Sequence, residues 1–156
     1  MKKLLFVVFL IGLISASAFA QKAYETYFND RFSFSIDYPS DLLIMQDPPA
    51  NNDGRTFLSP NGLIEMRVWG SNNALLRSLK QEYNSAIKDL GVKPSYKLLQ
   101  RNAFVVSGQK KGIITYQKTL FSDNVFYTFL IEYPAKDKKL YDAMVTRIAG
   151  SFKIEP

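Results

Sequence analysis

"VFYTFLIEYP", Val125–Pro134, is the stretch whose reading decides the fold. Val125, Tyr127, Phe129, Ile131 and Tyr133 lie on one side of an extended chain. A strand with one wet face would carry polar residues between them, yet Phe126 and Leu130 stand there. Side chains alternate across a strand, so this one is predicted to be central and covered on both faces. Pro134 closes it by removing a ladder donor.

Working outward, three more runs precede it: Tyr96–Gln100, Ala103–Gln109 and Ile113–Phe121. Their links are short and polar: Arg101-Asn102, Lys110-Lys111-Gly112 and Ser122-Asp123-Asn124. Links this short join antiparallel neighbours, which predicts a four-strand meander. After Pro134 the period changes. Leu140, Tyr141, Met144, Val145, Ile148 and Phe152 recur at steps of three and four, an amphipathic helix over Asp137–Phe152. A second helix is predicted over Asn73–Leu90, with Leu75, Leu76, Leu79, Tyr83, Ala86, Ile87 and Leu90 on its stripe. Asn72 or Asn73 serves as its N-cap and Gly91 as its left-handed C-terminal residue.

The first half reads as further strands. In "FSFSIDYP", Phe32, Phe34, Ile36 and Tyr38 alternate with Ser33, Ser35 and Asp37, a half-buried strand. Leu42–Met45 is a short apolar run. Thr56–Ser59 and Leu63–Trp69 flank Ser59-Pro60-Asn61-Gly62, which fits a type I turn followed by a left-handed Gly. Ile64, Met66 and Val68 face one way in the second arm; Glu65, Arg67 and Trp69 face the other. The expected class is α+β: an antiparallel sheet of about six to eight strands with two main helices packed on it.

The chain has 156 residues, 20 basic and 14 acidic, with a formal net charge of +6 and neither His nor Cys. Lys2 and Lys3, the apolar run Leu4–Ile14 and the small-residue site Ala18-Phe19-Ala20 read as a signal peptide cut after Ala20. The apolar run is shorter than the roughly 20 residues of a spanning helix. Residues 21–156 would then form one secreted or periplasmic domain with no stable membrane insertion. Absent thiols rule out a disulfide and a Cys-linked lipid anchor. Absent imidazoles remove the commonest general base and the commonest neutral metal ligand. The remaining basic excess is mild and scattered, as on a solvated surface, and an exported chain is not expected to bind nucleic acid.

"FSFSIDYP", "NNDGRTF", the mid-chain helix, the meander ending in "IEYP" and the last helix running into "IAGSF" together resemble the PsbP/Mog1-like superfamily. Within it, they resemble small exported bacterial proteins of uncharacterised function. The resemblance covers nearly all of residues 21–156. It implies an α/β/α sandwich around an antiparallel sheet, and a fold that binds another protein and does not catalyse.

The loop "DPPANNDGRTFLSPNG", Asp47–Gly62, is dense in turn formers. As an EF-hand with Gly54 at the sixth place it fails, because Pro49 and Pro60 fall at the first and twelfth. A looser Ca²⁺ or small-ligand site from Asp47, Asn51 and Asp53 is one alternative. The simpler reading makes the loop a set of side-chain-to-backbone turns. Ser85-Ala86-Ile87-Lys88 and Ser122-Asp123-Asn124 match two of three β-lactamase signatures, but no K-T-G follows. A small hydrolase with paired carboxylates is a second alternative, Glu65 and Glu132 both lying on strands. Trp69 is expected to pack under the adjoining helix or else to stand as an aromatic anchor. Lys136, Lys138 and Lys139 open the last helix, a solvated turn or a contact for an acidic partner. The leading expectation is a non-enzymatic accessory protein with no cofactor and no metal. Its partner is another envelope or secreted protein, and the candidate contact surface is Asn51, Asn52, Asp53, Arg55 and Trp69.

Overall fold

The structure, a computed structural model, describes residues 23–156. The expected signal peptide therefore lies outside the described residues. Ten strands and two helices follow. They are β1 (Tyr24–Asn29), β2 (Phe34–Pro39), β3 (Ile44–Met45), β4 (Gly54–Leu58), β5 (Glu65–Asn72), α1 (Leu79–Leu90), β6 (Tyr96–Leu99), β7 (Ala103–Lys110), β8 (Ile113–Ser122), β9 (Val125–Pro134), α2 (Lys138–Ser151) and β10 (Lys153–Ile154).

Seven strands form one antiparallel sheet in the order β3-β4-β5-β9-β8-β7-β6, and β1, β2 and β10 form a second. Helix α1 carries the chain from β5 to the far edge, and the meander β6–β9 returns until β9 meets β5. That return puts β9 at the centre, as its apolar faces require. Two of the meander's links are two-residue hairpins. Lys111 and Gly112, and Asp123 and Asn124, all have positive φ, the backbone that a tight twisted hairpin demands. The expected turn at Ser59 is also present, with Gly62 N donating to Ser59 O at 2.8 Å.

Each face of the large sheet has its own core. On one, Tyr127, Phe129, Ile131 and Tyr133 of β9 pack against β2 and the Met144–Ile148 stripe of α2. Aromatic rings meet there edge to face, Phe34 with Tyr127 at 6.2 Å and with Phe152 at 6.0 Å. On the other face Leu79 and Ala86 of α1 pack on Phe104, Val106 and Phe126. This core is smaller, so the opposite end of β9 is only partly covered: Leu130 and Glu132 are half-buried.

The expected α+β class holds, with two helices packed on a seven-stranded antiparallel sheet, and the three-stranded sheet adds Phe34, Ile36 and Tyr38 of β2 to the larger core. Three expectations need correction. Phe32 precedes the strand, since Ser33 takes φ 49°. Helix α1 begins at Leu79, not Asn73, and its N-cap is Ser78, whose hydroxyl accepts from Gln81 N while Gln81 accepts from Ser78 N. This reciprocal box is a stronger start than a lone Asn, so Leu75 and Leu76 stay in a loop, 74% and 79% exposed. Leu140 is 62% exposed, because the buried stripe of α2 starts only at Met144.

Candidate functional site

The loop after β3 folds back beside the β4–β5 pair and leaves an open cleft of about 480 Å³. Its walls include Asp47, Pro48, Pro49 and Asp53, with Arg67 and Trp69 from β5. Gly54 shapes the contact between loop and sheet. A Cβ at Gly54 would lie 2.0 Å from Val68 O and 2.7 Å from the Trp69 Cα and Cβ. No side chain fits there, so β4 approaches Trp69 as closely as backbone allows.

The loop is tied down at several points. Asn29, itself buried, donates through Nδ2 to Asn52 O at 3.1 Å. Arg31 Nη1 donates to Asn51 O. Asn51 Nδ2 donates to Asp53 Oδ2 at 2.8 Å, and Asn52 takes φ 49°. Gly70 N donates to Asp53 O at 2.9 Å. The Asx residues therefore act as turn closers, as such residues do. One oxygen of the Asp53 carboxylate faces an amide donor. No group of three Asp or Glu side chains placed to hold a metal occurs among the described residues.

Of the five candidate residues, Asp53, Arg55 and Trp69 line this cleft, while Asn51 and Asn52 shape the loop behind it. Arg55 is only partly a cleft residue. It pairs with Val68, so its side chain projects to the opposite face of the sheet, where its guanidinium lies 5.4 Å from the Tyr27 ring centroid. Trp69 does not pack under a helix, because α1 starts late and lies on β7. Trp69 instead lies half-buried beside the loop prolines. Arg67 was absent from the candidate set. Its signal was available, since Glu65, Arg67 and Trp69 alternate onto one face.

The structure also brings Glu65 and Glu132 together. They are directly opposed across β5 and β9. Arg67 stands between them, its Nε 3.1 Å from Glu65 and its Nη2 3.9 Å from Glu132. Both carboxylates thus share one guanidinium, and Arg67 also lines the cleft. Ser122, Asp123 and Asn124 form the β8–β9 turn, where the Ser122 hydroxyl donates to Asp123 at 2.8 Å.

Among known proteins, no family model matches the chain and no curated protein matches it. Solved structures do. The solution structure of cyanobacterial PsbP (CyanoP) from Synechocystis sp. PCC 6803 aligns with a TM-score of 0.63 at 11% identity, covering 91% of this chain and 98% of that one. A crystal structure from Bacteroides thetaiotaomicron VPI-5482 aligns with a TM-score of 0.54 at 13% identity, covering 87% of this chain and 50% of that one. The fold is PsbP-like.

Proposed function

We propose that this PsbP-like chain is an exported, non-enzymatic accessory protein that recognises another envelope or secreted protein through the Trp69 cleft. The observation that carries the reading is Trp69 set beside Arg67 and a proline-walled loop that buried Asn29 and backbone bonds hold in place. Trp and Arg dominate the binding energy of protein interfaces. A loop already fixed loses little freedom when a partner docks, which favours affinity. The Arg67 guanidinium, held between Glu65 and Glu132, is oriented for recognition. Export is supported by the residue pattern of Met1–Ala20.

The test is retention of a partner from an envelope extract on immobilised protein. Wild type should retain a discrete partner, and Trp69→Ala should lose it while its circular dichroism stays native. Equal retention by both would remove the cleft from the reading. N-terminal sequencing of the exported protein should begin at Gln21; a start at Met1 would contradict cleavage.

A further inference from the structure

Strand β6 closes the far edge of the seven-stranded sheet, and no strand among the described residues pairs with its other side. All four of its residues are exposed. Tyr96, Leu98 and Leu99 are 52%, 39% and 40% exposed. Natural edge strands are normally short, charged or shielded, since an open apolar edge pairs with foreign chains. This one is short, but three of its four side chains are apolar.

The backbone of the edge is open too. The β6–β7 hairpin is closed by Gln100 N donating to Ala103 O at 2.8 Å. Alternation from that bond turns the peptide groups of Leu98 toward β7 and points those of Lys97 and Leu99 away from the sheet. Two donors and two acceptors thus face outward at strand spacing.

Charge is distributed in a way that names the partner's chemistry. Between Asp89 and Asp123 the chain has no acidic residue, but it has Lys93, Lys97, Arg101, Lys110, Lys111 and Lys118. These six account for the whole formal net charge of +6, and the rest of the chain is balanced. Lys93, Lys97 and Arg101 belong to β6 and its two flanks. A second copy of β6 paired antiparallel about Lys97 would set lysine against lysine, which is unfavourable across a strand pair.

We propose that β6 is a docking edge for an extended acidic segment of another polypeptide, which adds as an eighth strand. Alternate acidic side chains of that segment meet Lys97 and its basic flanks. The intervening apolar side chains lie along Tyr96 and Leu98. This goes beyond the cleft reading, since it uses the opposite edge of the sheet.

The test uses an alternating Glu-Val peptide about eight residues long, a usual strand length, added to the purified protein. Amide exchange at Lys97 and Leu99 should slow by about tenfold or more at saturation, as for amides newly paired in a ladder. Binding should weaken about tenfold between roughly 0.05 and 0.5 M salt. Lys97→Pro, which removes an outward N–H and no ladder bond, should abolish it, as should Lys97→Glu with Arg101→Glu. The same peptide N-methylated at alternate residues should bind about tenfold more weakly, because strand addition needs its N–H groups. Trp69→Ala should leave peptide binding unchanged. Unchanged exchange at Lys97 and Leu99 would overturn the proposal. So would equal binding by the N-methylated peptide, loss of binding in Trp69→Ala, or a protein dimer that Lys97→Pro dissociates.

Discussion

Asn73 ties three segments of the fold together. It is buried, and its Oδ1 accepts from Arg77 N at 2.8 Å while its Nδ2 donates to Arg77 O at 2.9 Å and to Asn124 Oδ1 at 3.1 Å. Its backbone N donates to Asn124 O at 2.9 Å. It therefore joins the end of β5, the approach to α1 and the β8–β9 turn. Removing a buried side chain with three hydrogen bonds leaves its partners unpaired. Asn73→Ala should lower stability by about 2–3 kcal/mol, seen as a lower urea midpoint. A midpoint equal to wild type would contradict this role. Three residues further on, Leu76 is the opposite case. It holds φ 51° with its side chain in water. A left-handed backbone strains a residue with a Cβ, so Leu76→Gly should raise stability by up to about 1 kcal/mol, read from the same urea curves.

At the scale of elements, most of the sheet is legible in the sequence because period two and short polar links leave little choice of pairing. Val125–Pro134 has two apolar faces and becomes the central strand. Ser59-Pro60-Asn61-Gly62 and the Lys111-Gly112 link make the expected hairpins. Two features escape that reading. Tyr24–Asn29 mixes Glu25 and Thr26 with aromatics, and it becomes a strand through hairpin pairing with the adjacent β2, a contact that its own residue pattern does not encode. Leu75 and Leu76 match the period of α1 and yet lie outside it. The competition is between a periodic extension and a capping box, and the box at Ser78 and Gln81 satisfies two orphan amides at once. Ser78→Ala should lower stability by about 1 kcal/mol, with a small loss of helix signal. An unchanged melting curve would show that the cap contributes nothing. The cleft was partly legible: the loop residues and Trp69 were visible as candidates. The face on which Arg55 lies depends on register, and register came from the pairing of Gly54 with Trp69.

At the scale of the whole molecule, five tyrosines make the fold sensitive to alkali. Burial holds the Tyr133 hydroxyl in its neutral form up to about 12, with the nearby Asp142 adding to the effect. Burial also raises Tyr24, Tyr38, Tyr116 and Tyr127 above their ordinary value of 10.0. For each, the unfolded chain releases its proton first. Their contribution is fully present below pH 10 and is lost as pH rises through the folded values. Lys118 acts in the other direction. Burial lowers its value from 10.5, so stability rises as pH climbs through that lowered value toward 10.5. Its ammonium still donates to Ala149 O at 2.5 Å near the end of α2. The tyrosines outnumber it, so the urea midpoint should fall steeply between about pH 10 and about pH 12. Tyr133→Phe should make that fall shallower. A midpoint that stays level to pH 12 would mean that these hydroxyls titrate as freely as in the unfolded chain.

The same molecular frame presents the Trp69 cleft on one side of the sheet and the exposed first turn of α2 elsewhere, a contrast that one measurement can use. A photo-crosslinking amino acid is placed at position 69 in one variant and at Leu140 in another, and both are irradiated in living cells. Recognition through the cleft predicts a discrete adduct from position 69 and none from position 140. Adducts of equal yield from both positions, or none from position 69, would contradict it.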